Sequence, residues 1–190
     1  MRDSIHELPA TGIGEEYLME SKKSNSVRAA VERNRARKLI GPWTKALSDA
    51  CNADVRSSAF LSIEETGRLR NAFFEMVKNS SEPMKRNWPR YDIGDLIAHT
   101  SKLREIAGQL TVVVFSDVDR LIGAVRLRAA AVLSHLFAVW NVVHEDLAIT
   151  TADLNNGLCL ELNFYTLSGQ YVKEGVFEMT AWGAFASGGA

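Results

Sequence analysis

The spacing of apolar and polar positions predicts a run of helices over the first 108 residues. In residues 26–40 apolar side chains recur at helical intervals among charged ones, and Gly41-Pro42 should end this helix and open a short second one. A capping box at Ser62–Glu65 predicts the start of a helix that runs to about Lys78. The apolar positions in residues 93–107 indicate one more helix before the pattern changes.

Strands are predicted in the second half of the chain. The β-branched run 110–115 is typical of a central strand, and residues 129–143 form a helix too apolar to face water. Alternating residues and turn signals then predict strands over 147–151, 158–165 and 171–182. We therefore expect an α+β protein with a β-α-β-β-β half, whose antiparallel meander packs on the apolar helix. The shared core should contain Leu136, Phe137, Trp140, Leu160, Leu162 and Phe164.

Length and composition favour one domain. With 190 residues and 46% hydrophobic content, the chain is too apolar to be disordered. Residues 26–190 should form the single domain, divided into a helical part, 26–108, and a sheet part, 109–190. Residues 1–25 have no periodic pattern and are expected to be a mobile arm.

The compartment is predicted to be the cytoplasm of a bacterial-type cell. Cys51 and Cys159 stand alone without a metal-ligand motif, so neither a disulfide framework nor a zinc site is expected. The N-terminus has no secretory pattern, and the apolar stretch at 129–143 is shorter than a bilayer requires. We accordingly expect no membrane partner, and the absence of nucleotide-binding glycine motifs favours no cofactor.

Two acidic groups offer candidate chemistry. Asp117 and Asp119 directly follow the strand 110–115, where carboxylates can hold Mg²⁺. The segment Ser116–Asp119 resembles the first motif of haloacid-dehalogenase-type phosphatases, although Arg120-Leu121 replaces the usual Gly-Thr. The resemblance implies metal-dependent phosphate chemistry. The structural alternative is that Ser116 or Asp117 caps the turn that follows.

The second acidic group lies around the predicted meander: His144, Glu145, Asp146, Asp153 and Glu161. A helix followed by strands with acidic residues is similar to the core of PD-(D/E)xK-type nucleases, which implies a Mg²⁺ site. Asn163 stands where that motif has lysine, and both Glu161 and Asn163 also fit a solvent-facing side of the strand. The alternative function is thus a metal-dependent hydrolase or nuclease with Asp117, Asp119 and Glu161 as ligands.

Cations are concentrated in two segments. The whole chain has a net charge of −1, but residues 22–38 carry a large excess of basic residues, and a predicted loop combines cations with aromatic rings. Such surfaces attract acidic proteins or nucleic acids, and exposed rings can stack on bases. Alternatively, the helix face is simply solvated and the rings fold inward. The candidate binding residues are Arg33, Arg35, Arg37, Lys38, Lys85, Arg86, Trp88, Arg90 and Tyr91.

These features favour a non-enzymatic binding protein of the inhibitor, immunity or adaptor type. The first 108 residues are net basic and the remainder net acidic, which suits docking by complementary charge. Another protein is the expected partner, with RNA or DNA as the second choice.

Overall fold

Six strands form a single antiparallel sheet in the computed structural model, which describes residues 13–79, 84–90, 93–144, 146–165 and 169–187. The strand order is β1-β6-β5-β4-β2-β3. Together with the helices, this sheet confirms the α+β class. The strands are β1 (Met84–Pro89), β2 (Thr111–Val114), β3 (Val125–Arg128), β4 (Leu147–Thr150), β5 (Gly157–Tyr165) and β6 (Tyr171–Trp182).

Helices cover both faces of the sheet. The described helices are α1 (Ile13–Cys51), α2 (Ile63–Asn79), α3 (Gly94–Ala107), α4 (Asp119–Ile122), α5 (Ala129–Ser134) and α6 (Leu136–Val143). Single 3₁₀ turns occupy Ser57–Ala59 and Gly183–Phe185. Among the helices of the described ranges, none is both long enough and apolar enough to cross a bilayer.

The core is divided into two layers by the sheet. Leu160 of β5 belongs to the larger layer, with side chains from the C-terminal part of α1, α3, α5 and α6. Its neighbour Cys159 belongs to the smaller layer, beneath Phe73 of α2 and next to Phe115. Since successive residues of a strand face opposite sides, this division follows from the alternation of β5.

Several predicted elements are confirmed. The capping box forms as expected: the Glu65 N–H donates to Ser62 Oγ at 3.1 Å, and the Ser62 N–H donates to Glu65 Oε2 at 3.3 Å. These hydrogen bonds hold the pKa of Glu65 below its usual value. Strands β4, β5 and β6 pair as an antiparallel meander, and Leu160 and Leu162 pack in the same core as α6.

The prediction that Phe164 belongs to this core is wrong, because its side chain is 43% exposed. Burial falls steadily along β5, from Leu160 in the interior to Tyr165 in solvent. The alternation of Leu160, Leu162 and Phe164 predicts a common face correctly, but the covering layer does not reach the end of the strand.

The predicted helix stop at Gly41-Pro42 is wrong, because α1 continues through it to Cys51. A proline inside a helix costs roughly 3 kcal/mol through a lost hydrogen bond and a steric clash. The turns that follow bury Leu47 and Cys51 in the core, and each fully buried side chain of this size contributes about 1.5–3 kcal/mol. Tertiary packing therefore outweighs the local break.

Residues 13–25 of the predicted mobile arm have a helical backbone, and residues 1–12 lie outside the described residues.

Strands and helices are not segregated into the two halves as predicted. The expected loop at 84–92 contains β1, which pairs with β6 at the sheet edge. A further strand, β3, precedes the apolar helix, and that helix is divided at His135, whose backbone angles of φ −128° and ψ 34° are not helical. Since β1 has one strand neighbour and buries only Trp88 among residues 85–89, its sequence lacks a strong strand pattern.

Candidate functional site

The first candidate surface is the basic segment, defined as residues 27–38 of α1. The predicted binding residues Arg33, Arg35, Arg37 and Lys38 are all exposed, and no residue in this segment is buried. Arg28 adds a fifth cation, and its Nε donates to the carboxylate of Glu32 at 3.3 Å. Both partners of that pair are largely exposed, so it contributes little to folding. The structure therefore presents the predicted cations to solvent.

The basic segment also exposes apolar side chains. Val27 is 63% exposed and Val31 is 46% exposed. Their spacing of four residues places them on the same side of the helix. Farther along α1, Leu47 is buried against the end of the sheet near Val114 and Val125. In the sequence, these valines belong to the helical pattern of apolar positions in residues 26–40, which does not show whether that side of the helix is covered.

The second predicted basic group lies on β1 and is not a loop. Lys85 is exposed, Arg86 is half-buried, and Arg90 is exposed just after the strand. Trp88 is 8% exposed and packs with His99 at a ring-centroid distance of 5.5 Å, so its ring faces the core and is not available to a base. Tyr91 lies outside the described residues. β1 lies at one edge of the sheet, whereas Leu47 in the C-terminal part of α1 lies near Val114 and Val125, whose strands are at the other edge.

Asp119 is held by an arginine that sequence reasoning missed. The carboxylate is fully buried and accepts a hydrogen bond from Arg70 Nη1 at 2.5 Å. The same nitrogen donates to the Ser116 carbonyl at 3.0 Å, while the Ser116 N–H donates weakly to Asp119 Oδ2 at 3.4 Å. The turn is therefore closed by Asp119 and not by Ser116 or Asp117, and the ion pair joins α4 to α2. Arg70 precedes Asp119 by 49 positions, so no local motif could have indicated it.

Asp117 and part of the second acidic group share a small cleft at the strand ends. This acidic cleft has a volume of about 80 Å³, and its charged or titratable lining residues are Arg70, Asp117, His144, Asp146, Cys159 and Glu161. Two groups that the sequence presents separately are therefore neighbours. The volume holds only a few water molecules, since each takes about 30 Å³ in the liquid.

The remaining acidic candidates are elsewhere. Asp153 lies in the β4–β5 turn, where Thr151 Oγ1 and the Asn155 N–H donate to its carboxylate and lower its pKa. Glu145 lies outside the described residues. In the described parts of the chain, no three histidine, cysteine or acidic side chains are grouped so that they could hold a metal ion.

Cys159 provides no nucleophile in the acidic cleft. Burial, followed by the nearby Glu161 carboxylate, raises the pKa of its thiol, and the thiol donates to Glu161 Oε1 at 3.3 Å. A thiol that stays protonated is a poor nucleophile. The Cys159 thiol is therefore not an activated nucleophile in this cleft.

Comparisons of the chain with protein-family models, with characterised proteins and with solved structures found no match.

Proposed function

We propose that this protein is a non-enzymatic binding protein, of the inhibitor, immunity or adaptor type, which docks an acidic partner protein through the basic segment. The observation that carries the proposal is the exposure of Arg33, Arg35, Arg37 and Lys38 with only Glu32 as an acidic neighbour in residues 27–38. Exposed charges attract over roughly 10 Å at 0.1 M ionic strength, and complementary fields speed association.

Three features favour a protein over a nucleic acid as the partner. Val27 and Val31 offer apolar surface that an amphipathic acidic helix could bury, whereas phosphate groups could not. Trp88, the ring expected to stack on bases, is buried. The whole-chain pI of about 6.4 is also lower than that of typical nucleic-acid-binding domains.

The test begins with cross-linking and copurification to identify the partner, followed by affinity measurements at about 50 and about 300 mM salt. Changing Arg33, Arg35 and Arg37 to Gln should weaken binding roughly 3- to 150-fold, because each exposed pair contributes about 0.2–1 kcal/mol. The matched control replaces three exposed lysines outside the basic segment by Gln: Lys45, Lys102 and Lys173.

The control should retain wild-type affinity, and the salt dependence should become shallower only in the arginine variant. Equal affinity in both triple variants would exclude the basic segment as the docking surface. A synthetic RNA of about 20 nucleotides serves as the competing ligand, since nucleic-acid affinity falls steeply with salt. If this RNA binds as tightly as the protein partner, the partner class is nucleic acid and not protein.

A second candidate function is the metal-dependent hydrolase or nuclease, favoured by the shared cleft of Asp117 and Glu161. Asp119 does not support it, because its carboxylate is fully buried and pairs with Arg70 through one oxygen. Calorimetric titration with Mg²⁺ and Mn²⁺ separates the two candidates. The binding-protein proposal predicts no saturable heat of metal binding. Saturable metal binding that disappears in Asp117→Asn would instead support a metal-dependent function of the acidic cleft.

A further inference from the structure

The part of α1 that contains the basic segment has no buried side chain to fix its direction. None of residues 27–46 is buried, whereas Trp43 is partly buried against the core and Leu47 is fully buried. A helix in a protein takes most of its stability from packing on its neighbours. Residues 27–40, which we call the α1 arm, are therefore held in place only through the turns of helix that follow them.

The α1 arm joins the core through a weak point of the helix. Pro42 has no N–H to donate to the carbonyl four residues earlier, and its ring clashes with that carbonyl. Gly41 is a poorer helix former than alanine, and a Cβ built on it would meet no atom within 4 Å. Thr44 Oγ1 donates to the Ile40 carbonyl at 2.6 Å, a type of hydrogen bond that often bends helices. Bending is therefore concentrated at this hinge, where the arm can swing as a unit.

The acidic cleft lies directly beside the hinge. Ser116 and Val143 line both the cleft and the space beneath Trp43. The centroid of the Trp43 ring lies 6.3 Å from that of His144, which also lines the cleft. Lys38 precedes Trp43 by five positions, which is about 7.5 Å along the helix axis. A bend at the hinge can therefore bring the cations at the end of the arm to the cleft.

The arm and the cleft carry opposite charges. Asp117 is exposed at the cleft, and no cation of the described residues forms an ion pair with it. Arg70 also lines the cleft, but its charge is balanced by the buried Asp119. Four cations of the arm form no ion pair with a described carboxylate: Arg33, Arg35, Arg37 and Lys38. Exposed opposite charges attract over about 10 Å at 0.1 M ionic strength, so a bend toward the cleft is favourable.

We propose that the α1 arm bends at Gly41-Pro42 and closes its cations onto the acidic cleft of the same chain. Closure regulates the site of the proposed function and rests on it, because the closed arm covers the basic segment that docks the acidic partner. The partner then competes with the cleft for the same cations. Since each exposed ion pair is weak, open and closed states coexist, and their balance responds to salt and to the partner.

The experiment measures the distance between two spin labels in the full chain by double electron–electron resonance. The labels are attached at Ala30→Cys in the arm and Asn141→Cys in α6, both exposed positions, while the native Cys51 and Cys159 are buried. At about 50 mM salt a short-distance population should accompany a long-distance one, and at about 300 mM salt it should fall at least about threefold. One distance distribution that is identical at both salt concentrations would overturn the proposal.

Two matched variants test the contact with the cleft. Asp117→Asn should reduce the short-distance population about twofold or more, because it removes one exposed charge from the contact. Glu174→Gln removes an exposed carboxylate of β6 outside the cleft and should leave the population unchanged. Equal distributions in the two variants would exclude the acidic cleft as the surface onto which the arm closes.

The hinge is tested by combining Gly41→Ala with Pro42→Ala. This double variant restores the missing helical N–H and replaces two poor helix formers by a good one. Most of the short-distance population should therefore disappear, because a continuous helix keeps the arm extended. A double variant with the distance distribution of the wild type would contradict bending at Gly41-Pro42.

Competition with a peptide separates closure from the proposed function. The probe is a polyglutamate of about 20 residues, and a glycine–serine peptide of equal length is the control. Polyglutamate should lower the short-distance population and should bind Asp117→Asn about twofold more tightly than the wild type, because the arm of this variant is already released. Closure without any polyglutamate binding would contradict the docking of an acidic partner and leave closure standing. Peptide binding that is lost when Arg33, Arg35 and Arg37 become Gln, with an unchanging distance distribution, would retain the docking surface and overturn closure.

Discussion

Removal of the Arg70 guanidinium should destabilise the protein by about 3 kcal/mol, because it leaves a fully buried carboxylate without its ionic partner. In Arg70→Met, the one donor to the Asp119 carboxylate that remains among the described residues is the Ser116 N–H, at a long 3.4 Å. Losing one member of a buried pair typically costs about 3–5 kcal/mol, and the 25% exposure of Arg70 places this pair at the lower end. For a chain of this size, that loss lowers the thermal midpoint by roughly 6–12 °C.

The assay is urea unfolding followed by tryptophan fluorescence. Arg68→Met is the matched control, because Arg68 is exposed on the same helix, and its change should stay within about 0.5 kcal/mol. The double variant Arg70→Met with Asp119→Leu should recover most of the lost stability, since no unpaired charge then remains. If Arg70→Met is no less stable than Arg68→Met, the ion pair does not stabilise the junction of α2 and α4.

Three further predictions test the packing and the pH response. Leu162→Asp should lower the unfolding free energy by about 2–4 kcal/mol in urea titrations, because it places a charge against the α6 layer. Phe164→Asp should cost under about 1 kcal/mol, and equal effects of the two variants would contradict the burial gradient along β5. Gly157→Ala should lower the free energy of unfolding by about 1–3 kcal/mol, because a Cβ there would overlap the Trp182 ring. That ring is held by a hydrogen bond from its Nε1 to the Leu154 carbonyl at 2.9 Å, and an unchanged thermal midpoint would refute the contact. Burial, and then the cations Arg86 and Lys102, lower the pKa of His99 below 6.5, so the folded state resists its protonation. The contribution of His99 to stability should therefore be fully present above about pH 6.5 and be lost as pH drops through the folded-state pKa. In urea midpoints measured from about pH 7.5 to about pH 5, His99→Gln should remove the part of the fall that is due to this residue. Parallel curves for the two proteins would exclude His99 as the cause.

The amino-acid sequence by itself determined the features that depend on near neighbours in the chain. The capping box before α2, the helix at 94–107 and the β4–β5–β6 meander all follow from periodicity and turn residues. The exposure of the cations at 33–38 also agrees with a helical pattern of charged positions. Each of these signals is carried by residues within one or two helical turns or by the alternating residues of one strand. A short segment of the sequence therefore contains the whole signal.

Only the tertiary structure decided the features in which distant segments meet. Packing of Leu47 and Cys51 carries α1 through Pro42, and pairing with β6 makes a strand of β1 despite its weak pattern. The sequence showed Asp119 as a candidate metal ligand, but its environment is set by Arg70 from another helix. The acidic cleft likewise arises where helices lie beside strand ends. Such contacts leave no periodic trace in the sequence, because the segments that form them are brought together only by the folded chain.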